Sequence, residues 1–178
     1  MADIKSSIEI AMERTKNLRL SSEEKERILQ EEDRIRAVGV ANRYGEGDLS
    51  LQMLERELSR EPGETRNLFV GYLREALIQG IQITQDNQRI LEAITVLKEG
   101  KVDREAVTEI ANLEREYREE LKEALSTVES ILREELKGSG IHGNAVLPNI
   151  KESYEWQERE KRIRDAYDRQ LELLKTRI

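Results

Sequence analysis

The chain has 178 residues, of which 38% are charged and only 4% aromatic, and its formal net charge is −7. The absence of cysteine excludes disulfides and thiolate metal sites, and the single histidine excludes any site that needs two imidazoles. The acidic balance, with no basic arm, argues against binding to nucleic acid, whose phosphates call for a surplus of positive charge.

The composition also favours one all-α domain over residues 1–178. So few aromatics and only two prolines are atypical of a β-sandwich or a barrel. The N-terminal residues show no basic stretch followed by an apolar one, and no run of 18 apolar residues occurs. We therefore expect neither a signal peptide nor membrane insertion, and we expect a cytoplasmic protein.

Two charge-rich helices are predicted over the first 43 residues. The first covers residues 4–18. Ser21 and Glu24 have the spacing of a capping box, so a second helix starts there. Its middle is almost wholly charged, so we expect it to be solvated and held by one edge. The apolar residues at helical spacing are Ile4, Ile8, Ala11, Thr15 and Leu18 in the first helix, and Ile28, Ile35 and Val38 in the second.

The segment 62–137 is predicted to form a long antiparallel αα-hairpin, with helices at about 64–98 and 103–137. Only eight of the 37 residues that begin at Pro62 are charged, and an unbroken heptad seam runs through them, as in a coiled coil. A glycine and an N-capping aspartate mark the reversal between the two helices. The flanking parts are charged helices up to residue 61, a glycine-rich loop at 138–149 and a C-terminal helix at 150–178.

The first hairpin helix also carries a second apolar edge and an uncharged polar patch. The edge consists of Leu77, Ile81 and Leu91. The thin apolar stripes of the flanking helices are too small to cover this edge. We therefore expect a homodimer in which the hairpins of two chains pack against each other. Asn87 lies in the seam, where a single Asn fixes register and oligomeric state. Alternatively, the amides line a ligand cleft. The patch comprises Gln79, Gln82, Thr84, Gln85, Asn87 and Gln88.

The loop at 138–148 is the segment in which we first expect function. Three glycines give it backbone freedom, and Ile141, Val146 and Leu147 are too apolar for an idle surface linker. His142 is the only histidine of the chain. These residues either contact a partner or ligand, with His142 adding mild pH sensitivity, or they plug the core.

The sequence carries no motif that identifies a family or an enzyme class. We therefore expect a non-enzymatic helical adaptor or scaffold that self-associates, with no cofactor and no metal. The alternative is a small-ligand or regulatory binding protein that uses the amide patch and the loop, and an enzyme with His142 in its site is a weaker third hypothesis. An adaptor should expose an apolar stripe, which the helix at 21–43 and the outer edge of the hairpin could supply. A ligand binder should enclose a pocket bordered by Gln82 and Gln85.

Overall fold

The computed structural model describes residues 21–60, 63–97, 103–141, 143 and 147–178. Within these ranges the protein has six α-helices, one short 3-10 helix and no strand. The predicted all-α class is therefore confirmed, whereas the predicted helix at 4–18 lies outside the described residues. The α-helices are α1 (Ser22–Gly45), α2 (Leu51–Ser59), α3 (Gly63–Gly80), α4 (Gln88–Leu97), α5 (Arg104–Gly138) and α6 (Tyr154–Lys175), and the 3-10 helix spans Ile150–Glu152.

Side chains cap the starts of α1 and α5 where the sequence predicts them. The hydroxyl of Ser21 accepts from the N–H of Glu24 at 3.1 Å, and the Glu24 carboxylate accepts from the N–H of Ser21 at 2.7 Å. This reciprocal pair is the predicted capping box. At α5, the Asp103 carboxylate accepts from the N–H of Ala106 at 3.3 Å.

The start of α6 differs from the prediction. The C-terminal helix is predicted to begin at residue 150, but only the 3-10 helix begins there, and the side chain of the preceding Asn149 makes no capping hydrogen bond. The α-helix begins after Ser153, whose hydroxyl accepts from the N–H of Trp156 at 3.2 Å. The chain between α5 and α6 is thus longer than the loop the sequence predicts.

The predicted continuous helix at 64–98 is wrong. It is divided into α3 and α4 by a non-helical segment, residues 81–87. Asn87 explains the break, because its side chain bonds both the N–H and the carbonyl of Gln82. An Asn side chain can replace the hydrogen bonds that a helix would otherwise supply to the backbone.

The helix pairing also differs from the predicted hairpin of 64–98 with 103–137. α1 packs along α3, and α5 packs along α6. Two contacts show that α5 and α6 are antiparallel. The rings of Tyr117 and Tyr167 meet edge to face with centroids 5.5 Å apart. Beyond that contact, Arg177 pairs with Glu109 at 2.6 Å, near the start of α5. The two helices of the long antiparallel pair therefore lie on either side of the loop at 138–148, whereas the predicted hairpin lies wholly before it.

The apolar faces of these helices meet in one core. Phe69 of α3, Ile94 of α4, Ile110 of α5 and Leu171 of α6 are among its fully buried members, so the two helix pairs share it. No described helix is both long and apolar enough to cross a membrane.

Candidate functional site

An exposed apolar stripe runs along α1, and we call Ile28, Ile35 and Val38 the outer stripe. Their side chains are 45%, 64% and 42% exposed. Ile28 and Ile35 are seven residues apart and Val38 follows three later, so the three lie on one side of the helix. This is the feature that the sequence analysis expects of an adaptor.

The outer stripe faces away from the core because the buried residues of α1 lie on another face of the helix, and only in its second half. Ala37, Val40, Ala41 and Tyr44 are its buried residues, whereas none of the residues from Ser22 to Arg36 is buried. Arg36 marks the boundary, since its guanidinium lies 4.4 Å from the ring centroid of Phe69 on α3. The first four turns of α1 therefore contribute no buried side chain to the core.

The charges around the outer stripe are predominantly acidic. Residues 22–36 contain six acidic and four basic side chains, and Glu31 and Glu32 lie between Ile28 and Ile35 along the helix. Both glutamates are exposed. A helix that covers this surface would place its central residues against two negative charges, which favours basic residues at those positions.

The loop at 138–148 is exposed at both of its described apolar positions. Ile141 is 45% exposed and Leu147 is 76% exposed, and Tyr154 at the start of α6 is exposed as well. Ile141 and Leu147 therefore do not plug the core. His142 and Val146, the other two candidate residues of this loop, lie outside the described residues.

The second apolar edge of the central segment is not a surface. Leu77, Ile81 and Leu91 are each buried within the chain itself. The expectation that they remain uncovered is wrong because it assumes one straight helix with thin neighbours. The break at 81–87 turns α4 relative to α3, and α1 packs against both.

Asn87 is fully buried and holds the segment 81–87 together. Its Oδ1 accepts from the N–H of Gln82 and from Nε2 of Gln85, each at 3.1 Å. Its Nδ2 donates to the Gln82 carbonyl at 2.8 Å and to Oε1 of Glu114 at 2.6 Å. Asn87 thus fixes the bend between α3 and α4 and ties that bend to α5. The interpretation that Asn87 sets a coiled-coil register is wrong.

Glu114 is a buried polar residue that the sequence analysis does not single out. Burial raises the pKa of its carboxyl above the usual value, and the nearby charge of Asp86 adds to the rise. The hydrogen bond from Asn87 and the charge of Arg118, whose guanidinium nitrogen lies 3.5 Å from Oε2, oppose it. A signal was present, since position 114 follows Ile110 by four residues and therefore shares its buried face.

A cavity of about 220 Å³ lies where the alternative function requires one, with Gln82 and Gln85 among its lining residues. It is smaller than the roughly 300–1,000 Å³ of ordinary ligand sites. The Gln85 amide is also engaged, because Nε2 donates to the Gly80 carbonyl at 2.6 Å as well as to Asn87. The Gln85 amide therefore holds the bend more than it offers donors to a ligand, and Gln82 contributes its backbone N–H and carbonyl to the same bend.

A larger groove of about 520 Å³ lies between α3 and the end of α6. Both of its cations contact groups of the protein, although Nε of Arg74 is buried with no hydrogen-bond partner among the described residues. The Lys175 ammonium pairs with Glu172 at 2.7 Å, and the Arg74 guanidinium donates to the carbonyl of Ile178. With Glu75 also in its wall, the groove has balanced charge and selects no ligand class.

Among the described residues, no group of three His, Asp or Glu side chains is placed to hold a metal ion. A comparison of the chain with protein-family models, with curated proteins and with solved structures finds no match. The surfaces and contacts of the chain itself are therefore what indicates its function.

Proposed function

We propose that the protein is a non-enzymatic helical interaction protein, an adaptor or scaffold, that binds an amphipathic helix of a partner along the outer stripe of α1. The observation that carries the proposal is the exposure of Ile28, Ile35 and Val38 at heptad spacing. They lie on a surface that no described helix covers. Recognition of an amphipathic helix by such anchors is a recurring mode of protein interaction.

The expected affinity follows from the area that remains to be buried. Full burial of one Ile or Val side chain contributes about 1.5–3 kcal/mol. The three side chains of the outer stripe are each about half exposed. Covering them therefore adds on the order of 2–5 kcal/mol, and a millimolar complex already corresponds to about 4 kcal/mol. The stripe supports a transient contact, which charge pairing with the partner can strengthen.

The acidic surroundings favour a partner with basic residues over a second copy of this chain. In a two-fold pairing of α1 with itself, Glu31 and Glu32 of both copies would meet near the centre, and like charges there repel. Leu77, Ile81 and Leu91 are buried within a single chain, so they no longer support the expected homodimer. Self-association is therefore the less supported form of the proposal.

A labelled synthetic helix tests the proposal. The probe carries leucine at heptad spacing and lysine at the positions that would face Glu31 and Glu32, and its binding is followed by fluorescence anisotropy. We expect the double variant Ile28→Gln/Ile35→Gln to bind at least tenfold more weakly than the unaltered chain. Leu173→Gln, at an exposed leucine on α6, is the matched control and should bind normally. Equal binding by all three proteins would show that the outer stripe is not the site.

Small-ligand binding is the second candidate, supported by the cavity at Gln82 and Gln85. Its size suits only a small polar molecule. A ligand there should raise the thermal stability of the chain, and substitution of Gln82 by Ala should abolish that increase. The outer-stripe variants should leave such a response unchanged, which separates the two candidates.

A further inference from the structure

The charge of α1 changes sign along the helix. Residues 22–33, the acidic segment, hold six acidic and two basic side chains, whereas residues 34–45, the basic segment, hold three basic side chains and no acidic one. The net charges of the two segments are therefore −4 and +3. The Asp33–Arg36 ion pair, 2.9 Å long, joins the segments and engages one charge of each. Without that pair the segments still carry −3 and +2.

Charges of both signs lie beside the outer stripe. Glu32 follows Ile28 by four residues, so the two side chains are neighbours on the helix surface. Arg34 precedes Val38 by four residues and is its neighbour in the same way. Glu32 and Arg34 are exposed, and neither makes an ion pair within the described part of the chain. A helix that covers the outer stripe therefore meets a negative charge at one end and a positive charge at the other.

The outer side of α1 is open along the basic segment as well as the acidic one. Ala37 and Ala41 are buried, whereas Val38, Gly39 and Asn42 are exposed. The packing of α1 on α3 thus leaves its opposite side uncovered by any described helix. A partner helix of about 18 residues, about 27 Å long, can therefore contact both charged segments at once.

We infer that the partner helix runs antiparallel to α1 and has a divided charge, acidic in its first half and basic in its second half. The inference rests on the proposed function. In this direction the basic half of the partner faces the acidic segment, and its acidic half faces the basic segment. The division also suits the dipole of the partner, which favours acidic residues near the start of a helix and basic residues near its end. A parallel partner would need the opposite division, which its own dipole disfavours.

α1 of a second copy has the same division but fits less well. The antiparallel register that places Ile28 of one copy opposite Ile35 of the other also places Glu31 opposite Glu32, because both pairs share one midpoint. Like charges at the centre of the pair repel. A helix of another protein, with basic residues opposite those two glutamates, avoids this repulsion.

Two labelled synthetic helices of equal composition test the division. Both carry leucine at heptad spacing and equal numbers of glutamate and lysine. The divided probe has glutamate in its first half and lysine in its second, whereas the two alternate in the mixed probe. At low salt we expect the divided probe to bind at least about fivefold more tightly. The difference should vanish at about 1 M salt, where the screening length is only about 3 Å.

A pair of variants excludes a difference that belongs to the probes alone. Arg34→Glu should remove most of the preference for the divided probe, because it places a negative charge beside the acidic half of that probe. Arg169→Glu, at an exposed site on α6, changes the net charge equally and should leave the preference intact. Equal effects of the two variants would overturn the inference.

The absence of cysteine allows a direct measurement of the direction. Ser22→Cys and Asn42→Cys each place one acceptor dye on α1, at positions about 30 Å apart, and the donor is attached to the start of the divided probe. Both positions are exposed. We expect more efficient energy transfer to position 42. More efficient transfer to position 22 would show a parallel partner and overturn the inference.

The outer-stripe variant separates this inference from the proposed function. If both probes bind the unaltered chain equally and Ile28→Gln/Ile35→Gln weakens both, the divided charge is wrong and the proposed function stands. If Ile28→Gln/Ile35→Gln binds both probes normally, both proposals are wrong. A concentration-dependent dimer of the unaltered chain that excludes the divided probe would identify a second copy as the occupant and would also overturn the inference.

Discussion

The side-chain amide of Asn87 donates to the carboxylate of Glu114 at 2.6 Å, and both residues are buried. This contact joins the bend between α3 and α4 to the middle of α5, 27 residues further along the chain. It is the polar centre of an otherwise apolar core.

Replacing Asn87 by Ala should be strongly destabilising. It removes the partner of Glu114 and leaves the N–H and the carbonyl of Gln82 without their bonds. Leaving buried polar groups unsatisfied costs about 1–3 kcal/mol each, so we expect a loss of about 3 kcal/mol or more in the free energy of unfolding. Urea denaturation measures it. Asn112→Ala, which removes an exposed bond to Arg115, is the control and should change little.

Glu114→Gln should change how stability depends on pH. Because burial raises the pKa of Glu114, the folded protein holds this proton more tightly than the unfolded chain. Its contribution to stability is present below the usual pKa of 4.5 and is lost as the pH rises through the folded value. The free energy of unfolding of Glu114→Gln should therefore increase relative to the unaltered chain between pH 4.5 and pH 7. Parallel curves for the variant and the unaltered chain would contradict the assignment.

Leu77→Ala should behave as a core substitution and not as an interface substitution. Leu77 is buried within a single chain, and truncation of a buried leucine costs about 2–5 kcal/mol. The loss should be independent of protein concentration, whereas a dimer seam would make it concentration-dependent. Leu173→Ala, at an exposed site, should change the free energy of unfolding by no more than about 0.5 kcal/mol.

Tyr167 should ionise late and weaken the α5–α6 pair when it does. Burial raises its pKa to about 12, and the hydrogen bond from its hydroxyl to Glu120, 2.9 Å long, adds to the rise. Since the folded pKa lies above the usual value of 10, stability should fall as the pH rises from 10 through 12. Tyr167→Phe should reduce that loss and remove one late step from the ultraviolet titration. Tyr154→Phe, at an exposed site, is the control.

Ile141→Ser/Leu147→Ser should leave the fold nearly intact. Both side chains are exposed, so the change in the free energy of unfolding should stay below about 1 kcal/mol. Thermal unfolding measures it. A sharp fall in the melting temperature would restore the interpretation that this loop plugs the core.

Local signals were predictable from the sequence, and the long-range arrangement was not. The capping box of Ser21 and Glu24 involves residues three positions apart, so the sequence contains the whole interaction. The bend at Asn87 depends on Glu114, and the heptad pattern continues through it without interruption. Periodicity reports which residues are buried, but not whether the helix that carries them is straight.

The candidate surfaces show the same difference between local and long-range information. The sequence identifies the thin stripe of α1, but the helix is not held through it. Ile28, Ile35 and Val38 are exposed, and the residues that hold α1 are Ala37, Val40, Ala41 and Tyr44. Leu77, Ile81 and Leu91 were assigned to an interface because the sequence cannot show that α1 approaches both α3 and α4. Exposure is a property of packing, and packing involves residues far apart in the chain.

The division of α1 into a packed half and an exposed half has an entropic consequence. The packed half, anchored through Tyr44 and Ala37, supplies the nucleus from which helical structure extends toward Ser22 without a new nucleation step. The outer stripe is therefore ordered before any binding event. A disordered segment of 15 residues would lose about 1–2 kcal/mol of backbone entropy per residue on binding. In this protein the entropy of ordering the helix is lost on folding and not on binding. The small apolar surface of the outer stripe therefore gives a higher affinity than the same residues would give in a disordered segment.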